Sequence, residues 1–372
     1  MKAKTLTINV EGNGYYLGME KGCFVIRDRH GNIQRVPLFE NEIGEIIVSS
    51  GNFISTSVLA CCGFWDIPVI VKTRNGNPVS VLRSLDDDSH VKTRIAQYEA
   101  LHNGKGISIA KTIVLSKIES QNMVLRKYGL REIDLALYKS KIEVLNSDSL
   151  MDVRRRLLPI EGKASEHYYH EIFRLMPFKA DRRKGWKAYD GLNNTFNLAY
   201  TMLKFRVYMA VLNAHLEPYL GFVHSEQFGK PSLVCDMMEL YRYLIDDFLI
   251  GFSQTLTAKD FTVKTEWFSS NRLGKRQVLG KEKTRELAEK LNRLFEAKVN
   301  IPRIKWGKSQ TVETLINEEV YLLAKHLRNE LSTWKPRLPL LIERASLRAR
   351  ASGDEKIGRA GGRLGWVGLG WG

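Results

Sequence analysis

The sequence contains little cysteine, and its four cysteines include no C-x-x-C pair. Neither a disulfide framework nor a structural zinc site is therefore indicated. We interpret all four as reduced, buried side chains in a reducing compartment. They are Cys23, Cys61, Cys62 and Cys235. No apolar run reaches the roughly 18 residues that a membrane span requires. The first twenty residues include Asn9 and Glu11 in place of an apolar signal core, so we expect a cytoplasmic protein without a membrane partner.

Positive charge is abundant. The 372 residues include 57 Lys and Arg against 41 Asp and Glu, which gives a formal net charge of +16. Such a charge attracts polyanions through its long-range field, and nucleic acid is the natural partner. An anionic membrane surface would fit the charge alone. The length predicts two domains, and a hydrophobic content of 44% excludes wholesale disorder.

The periodicity of apolar residues changes along the chain and predicts an α+β protein of two domains. Residues 1–84 show short strand-like segments separated by turn signals such as Asn75-Gly76, with one helical interruption at Ser55–Gly63. The polar residues 85–92 are predicted to be a linker. Residues 93–343 follow a helical period and are predicted to form an all-α domain. Residues 344–372 are rich in glycine and are predicted to be a disordered tail.

The stretch Gly221–Asp247 carries the clearest chemical signal. Apolar residues at helical spacing predict one buried helix, and four polar residues share its remaining face. They are Asp236, Glu239, Arg242 and Asp246. Buried carboxylates are unfavourable unless they are paired, hydrogen-bonded or bound to a metal ion. His224 lies just upstream, so the spacing fits either a divalent-metal site or an ion-pair network beside a core histidine.

A second stretch, Leu157–Pro177, favours the metal site. Here Glu161 follows Pro159 and is predicted to open another mostly apolar helix. A single glutamate in a first helical turn is usually only a favourable partner of the helix dipole. A second acidic residue in a buried helix, together with the first stretch, makes a shared site the better interpretation.

Two motifs in these stretches identify a family resemblance. The first is L-x-x-x-E-G-x-A-x-x-x-Y-Y, starting at Leu157, and the second is G-F-x-H at Gly221 followed by S-L-V-x-D-x-M-E-x-x-R at Ser232. Together they resemble the CRISPR adaptation integrase, the first of the CRISPR-associated proteins and the endonuclease of spacer acquisition. The resemblance extends from about Lys4 to about residue 330. Ala199 departs from the glycine that the family commonly has there, which is a conservative change.

The resemblance implies a β-sandwich-like first domain that mediates dimer contacts, followed by the all-α catalytic domain. It implies Glu161, His224 and Glu239 as metal ligands, and Asp236 as a further catalytic residue that is either an auxiliary ligand or a base that contacts a ligand and not the metal ion. Mixed oxygen and nitrogen ligands suit Mn²⁺ and tolerate Mg²⁺.

The reaction that the resemblance implies joins the 3′-OH of a captured DNA fragment to a phosphodiester at the edge of a CRISPR repeat. Water attacking in its place would make the same site an endonuclease. The implied partners are double-stranded, branched or single-stranded DNA and a second copy of the chain. Two such homodimers would flank a small ferredoxin-like CRISPR-associated protein in a heterohexameric integration complex.

Basic residues near these motifs are candidates for DNA contact. The loop Phe178–Asp190 is the densest, because its cations surround Trp186, which could stack on a base or anchor the loop. The run 154–156 consists of three arginines that could contact phosphate. Lys230 is a candidate for phosphate contact, and Arg242 for DNA contact or for orienting the carboxylates. The candidates in the loop are Arg182, Arg183, Lys184 and Lys187.

Two other functions remain open on the residues alone. A basic nucleic-acid-binding scaffold would use the same polar residues as a structural network, and it would bind DNA equally well in chelator. A metallo-nuclease that acts on RNA would share the charge and the ligands, and only the family resemblance disfavours it.

Overall fold

The structure, a computed structural model, describes residues 6–40, 42–74, 78–84, 91–180, 182–185, 188–269, 272–299 and 310–340. Described residues up to 84 belong to one compact unit and those from 91 onward to a second. Most of the predicted linker and all of the predicted tail lie outside these ranges. None of the helices within them is long and apolar enough to cross a membrane.

The first unit contains two four-stranded sheets and one helix. The order is β4-β3-β2-β6 in one sheet and β1-β5-β7-β8 in the other, where β5 pairs in parallel with both of its neighbours. Leu17, Phe24, Ile46 and Val58 are buried in a core that draws on both sheets and the helix. The elements are β1 (Leu6–Val10), β2 (Tyr16–Glu20), β3 (Cys23–Arg27), β4 (Ile33–Pro37), β5 (Ile43–Ser49), β6 (Phe53–Ile54), α1 (Thr56–Phe64), β7 (Val69–Lys72) and β8 (Pro78–Leu82).

The second unit is mostly helical, with a single large apolar core. Helix α6 runs through it and packs against α7, α8, α9 and α10, while α3 packs against α5. The helices are α2 (Val91–Ala100), α3 (Gly104–Lys127), α4 (Leu135–Glu143), α5 (Leu150–Phe173), α6 (Gly191–Asn213), α7 (Ser232–Met238), α8 (Arg242–Ser253), α9 (Lys281–Glu296) and α10 (Val312–Leu327).

The predicted fold class was wrong, because the second unit is not all-α. Strands β9 (Phe261–Ser269) and β10 (Arg272–Leu279) form an antiparallel hairpin that packs against α6. A short second pair joins β11 (Lys298–Val299) to β12 (Gln310–Thr311). In the hairpin, Thr262, Val263 and Thr265 carry the β-branched side chains that favour strands.

Two helix boundaries also differ from the prediction. Helix α5 continues through Pro159, so Glu161 lies in the middle of a helix and not in its first turn. The ring of a proline displaces the hydrogen bond to the carbonyl four residues earlier. That residue is Arg155, and both residues lie on the exposed side of α5, where water can replace the missing bond.

The helix predicted around Asp236 is in fact two helices, α7 and α8, separated by Glu239 to Tyr241. The backbone N–H groups of these three residues bond to carbonyls three residues earlier, which tightens the chain into a turn. Apolar residues keep their helical spacing through the turn, so periodicity alone predicts one continuous helix. The turn places Glu239 at the C-terminal end of α7.

We expect Gly106→Ala to lower the free energy of unfolding by about 1–3 kcal/mol, the usual cost of overpacking. A Cβ atom at Gly106 would overlap the carbonyl oxygen of Ala100, where α2 ends close to the first turn of α3. Gly104→Ala, two residues earlier, is the matched control, since a Cβ there meets open space. Urea unfolding compares the two, and equal stability would contradict the close approach.

Candidate functional site

Two acidic side chains from distant parts of the sequence share one buried lysine. Lys117 on α3 forms an ion pair with Glu161 on α5, and its Nζ lies 2.7 Å from Oε2 of Glu239. The side chains of Lys117 and Glu239 are 9% and 8% exposed, and that of Glu161 is 18% exposed. The structure therefore brings Glu161 and Glu239 together. Both are among the predicted metal ligands, which must lie close to one another to bind one ion.

Electrostatics keep these buried groups charged. Burial lowers the pKa of Lys117, but the charges of Glu239 and Glu161 outweigh it and raise that pKa above its ordinary value. Burial raises the pKa of Glu239, whereas Arg242 and Lys117 outweigh this effect and hold it well below its usual range. Arg242 donates from Nη1 to Oε1 of Glu239 at 2.8 Å. Glu239 thus has one cation on each oxygen.

Asp236 organises the turn that carries His224. Its side chain is completely buried, and its two oxygens accept four hydrogen bonds. Oδ2 accepts from the backbone N–H groups of Phe222 and Val223. Oδ1 accepts from the backbone N–H of His224 at 2.9 Å and from Nδ1 of its ring at 2.6 Å. Because Nδ1 donates to the carboxylate, the lone pair of the neutral imidazole lies on Nε2.

His224 is 24% exposed, and when its ring is protonated, its charge helps to lower the pKa of Glu239. Arg154 supports the same turn from α5, donating to the carbonyl of Gly221 and, at 2.9 Å, to that of Phe222. Arg154 is buried, so it anchors the turn and is not available to a phosphate. Arg155 and Arg156 of the same run are exposed.

Sequence reasoning missed the role of Lys117. It lies within the apolar part of α3, next to Ile118 and one turn after Ile113, both of which are fully buried. A lysine in such a stripe must meet an anion, because a buried unpaired ammonium is strongly unfavourable. A lysine within a buried apolar stripe was therefore the sequence feature that could have indicated this ion pair. Ser165, one turn after Glu161 on α5, also contributes a hydrogen bond of 2.7 Å to Oε1 of Glu161.

The side chains fit a divalent cation in kind but do not form a ready cage. Within the described part of the chain, no three His, Cys, Asp or Glu side chains are placed to hold a metal ion together. Lys117 lies between the two glutamates instead. The donor set still suits Mn²⁺ or Mg²⁺, since it offers two carboxylates and an imidazole oriented by a third. Oε2 of Glu239 is buried and has the Lys117 ion pair but no hydrogen bond of normal geometry.

Asp246 has a separate task from the other acidic residues of its stretch. Its Oδ2 accepts a hydrogen bond of 2.9 Å from the hydroxyl of Tyr168, and its Oδ1 accepts one from the hydroxyl of Tyr200. Tyr200 also shares a hydrogen bond of 2.8 Å with Tyr169. The guanidinium of Arg242 lies 4.3 Å from the centre of the Tyr200 ring. Asp246 thus holds the hydroxyl of Tyr200, and the ring of Tyr200 makes a cation–π contact with Arg242.

The basic loop is fixed to α6 by Arg183. Its Nη2 donates to Asn197 at 2.6 Å and its Nη1 to Asn193 at 3.1 Å, while its guanidinium lies over the Tyr200 ring. Arg183 is thus an anchor in this structure, and sequence reasoning proposed it for DNA contact. Arg182 is exposed. Lys184 is half-buried, and its backbone N–H bonds to Asn193.

Two further predicted contacts in the loop, Trp186 and Lys187, lie outside the described residues. Lys230 is half-buried in the turn just before α7, and Arg242 is committed to Glu239 and Tyr200. The predicted DNA contacts therefore do not form one uniform exposed surface.

The chain resembles known proteins over most of its length. Residues 8–285 match the family described as CRISPR associated protein Cas1. A CRISPR-associated endonuclease Cas1 of Pyrobaculum aerophilum is 32% identical over 248 residues, which cover 65% of this chain and 80% of that protein.

Two solved structures share its fold. A casposase bound to integration product has a TM-score of 0.70 at 18% identity, covering 93% of this chain and 98% of that chain. A chain of a Cas6-RT-Cas1–Cas2 complex has a TM-score of 0.68 at 16% identity, covering 91% of this chain and 36% of that one.

We expect Asp236→Asn to destabilise the protein by about 2–4 kcal/mol, because the amide leaves one oxygen for the four N–H groups that the carboxylate now accepts. Glu226→Gln in the same turn is the control, since that carboxylate is half-exposed. Urea unfolding measures both. A loss below about 0.5 kcal/mol, the usual size of a surface substitution, would show that Asp236 does not hold the turn.

Asp246 makes stability depend on pH. Burial raises its pKa to about 6, although the hydroxyl of Tyr200 and the charge of Arg242 act in the opposite direction. The folded protein thus holds this proton more tightly than the unfolded chain does. The contribution is fully present in acid and is lost as the pH rises through about 6, by at most about 3 kcal/mol.

Asp246→Asn should remove this part of the pH dependence, which urea unfolding at about pH 5 and about pH 7.5 measures. Asp152→Asn, at a half-exposed carboxylate of α5, should leave the dependence as in the parent protein. An unchanged dependence in Asp246→Asn would contradict the assignment.

Proposed function

Because this chain belongs to the family of CRISPR associated protein Cas1, we propose that it is a metal-dependent DNA endonuclease and integrase of spacer acquisition. The observation that carries the proposal is that Glu161 and Glu239, from separate helices, meet at Lys117, while Asp236, three residues before Glu239, holds the ring of His224. The Pyrobaculum aerophilum relative is named an endonuclease, which supports the nuclease half. The joining of DNA ends is the finer part of the proposal.

Glu161, Glu239 and Nε2 of His224 would hold Mn²⁺ or Mg²⁺ in this function. When bound, the ion would supply positive charge that polarises a scissile phosphate and stabilises its developing negative charge. The attacking group is the 3′-OH of a captured DNA fragment, and the target is a phosphodiester at the edge of a CRISPR repeat. With water as the attacking group, the outcome is cleavage.

The chain's own residues position these groups. Asp236 holds the imidazole of His224 through Nδ1 and so presents Nε2. Arg242 fixes one oxygen of Glu239 and leaves the other for the shared site. Arg182 and Lys230 are proposed to contact phosphates on either side of the scissile bond, because neither has its cation committed to an ion pair with a described residue. Lys187 belongs to the same proposal from outside the described residues.

The proposed partners follow from the family. DNA is the substrate, and the first unit would mediate formation of a homodimer. A small ferredoxin-like CRISPR-associated protein would join two such dimers in a heterohexameric complex. The shared fold with a chain of a Cas6-RT-Cas1–Cas2 complex supports an assembly of this kind. The chain is proposed to act in the cytoplasm.

A second function, a basic DNA-binding scaffold, is favoured by one observation. Lys117 and Arg242 already neutralise Glu161 and Glu239, so the carboxylates need no metal ion to be stable in the fold. A scaffold would bind DNA equally well in chelator and would neither cleave nor join it when Mn²⁺ is supplied.

We expect Glu161→Gln and His224→Ala to reduce Mn²⁺-dependent cleavage and joining by at least about a hundredfold, since each removes a proposed ligand or its charge. DNA affinity in chelator should stay within about twofold, because neither residue is proposed to contact phosphate. Glu166→Gln, exposed and one turn further along α5, is the matched control and should retain activity. Full activity of either ligand variant would refute the site, and an inactive parent protein would favour the scaffold.

A further inference from the structure

We propose that the ammonium of Lys117 occupies the position of a cation in the metal-free site, and that metal binding displaces it from Glu161. This inference rests on the proposed function, since it concerns the same carboxylates. Lys117 contacts both of them at once, with Nζ 2.7 Å from Oε2 of Glu239. It is therefore a positioning residue whose contacts are those a metal ion would make.

Charge balance is the first argument. Without a metal ion, the carboxylates of Glu161 and Glu239 face two cations, Lys117 and Arg242. The charges of these two carboxylates are thus already balanced. A divalent cation entering beside an unmoved Lys117 would leave a large excess of positive charge where water screens weakly. One cation must give way, and Arg242 is held by its stacking on the Tyr200 ring.

A hydrogen-bond acceptor lies near Lys117 that could receive its ammonium after displacement. Oε1 of Gln121 is buried and accepts no hydrogen bond from any described residue, which is unusual for a buried acceptor. Gln121 lies four residues after Lys117 on α3, so the two side chains are neighbours on one face of the helix. A lysine stem is flexible, and its three N–H donors rotate freely. The ammonium can therefore exchange Glu161 for Gln121 without leaving the interior.

The surroundings of Gln121 support the exchange. Its Nε2 lies 3.4 Å from Oγ of Ser165, and that hydroxyl donates to Oε1 of Glu161. Gln121 thus adjoins the carboxylate that the ammonium would leave. Glu161 would keep the hydrogen bond from Ser165 and gain the metal ion in place of the lysine.

Two consequences follow for the protein. The carboxylates are assembled before any metal ion arrives, because Lys117 removes their mutual repulsion. The affinity for the metal ion is lower than the ligands alone would give, because binding must first displace the ammonium. Removing the ammonium should therefore tighten metal binding and weaken the metal-free fold.

The test compares the parent protein with Lys117→Met by titration calorimetry with Mn²⁺ and by thermal unfolding in chelator and in Mn²⁺. We expect Mn²⁺ to bind about tenfold or more tightly to Lys117→Met, since Glu161 and Oε2 of Glu239 then lack a cation, while Arg242 stays on Oε1 of Glu239. Its melting temperature should fall in chelator and recover in Mn²⁺ by more than the parent protein gains. Lys111→Met on the same helix is the control, because the ammonium of Lys111 donates to the carbonyl oxygen of Glu143 at 3.2 Å and takes no part in the proposed site.

Gln121→Leu is a second variant that keeps the ion pairs and so remains informative if Lys117→Met does not fold. It removes the acceptor for the displaced ammonium and should weaken Mn²⁺ binding about threefold or more. Unchanged Mn²⁺ affinity in the variants that fold, or weaker binding in Lys117→Met, would overturn the inference. If neither the parent protein nor any variant binds Mn²⁺, the inference and the proposed metal site are both wrong. If the parent protein binds Mn²⁺, the metal site stands and the variants test Lys117 alone.

Discussion

The helical unit depends on the pairing of buried carboxylates with buried cations. An unpaired carboxylate at the position of Glu239 would destabilise the fold by several kcal/mol. The chain meets this constraint with Lys117 on one oxygen and Arg242 on the other. Each cation comes from a different helix, so the ion pairs also fix how α3 and α8 are placed around the end of α7. The atoms that neutralise the proposed metal ligands therefore also determine how these helices pack.

The turn before α7 solves a related problem with backbone donors. Asp236 accepts three backbone N–H groups and one imidazole N–H, that of His224. These hydrogen bonds hold the N–H groups of the loop, and Arg154 donates to the carbonyl oxygen of Phe222 in the same loop. Gly221 is required at this point, because a Cβ atom there would lie 2.7 Å from Oδ2 of Asp236. The position of His224 thus depends on Asp236, Gly221 and Arg154.

Periodicity and motif spacing predicted much of the helical unit and the grouping of acidic residues, but not how each acidic residue is used. Helical spacing places Asp236, Glu239 and Asp246 on one stripe, whereas the turn after α7 separates them into three environments. Side-chain partners such as Lys117 depend on which helices pack together, which a single sequence does not give. The hairpin β9–β10 was missed because its charged residues concealed a two-residue alternation.

Arg183 shows how the fold fixes part of the basic loop. Its guanidinium is bound by two asparagines of α6 and stacked over aromatic rings, so the backbone at Arg183 is held against α6 before anything binds. Loop ordering normally subtracts from the free energy of association. Here the conformational entropy of this part of the loop is already lost when the protein folds. A polyanion that binds the loop would therefore bind more tightly than it would to a loop that still had to become ordered.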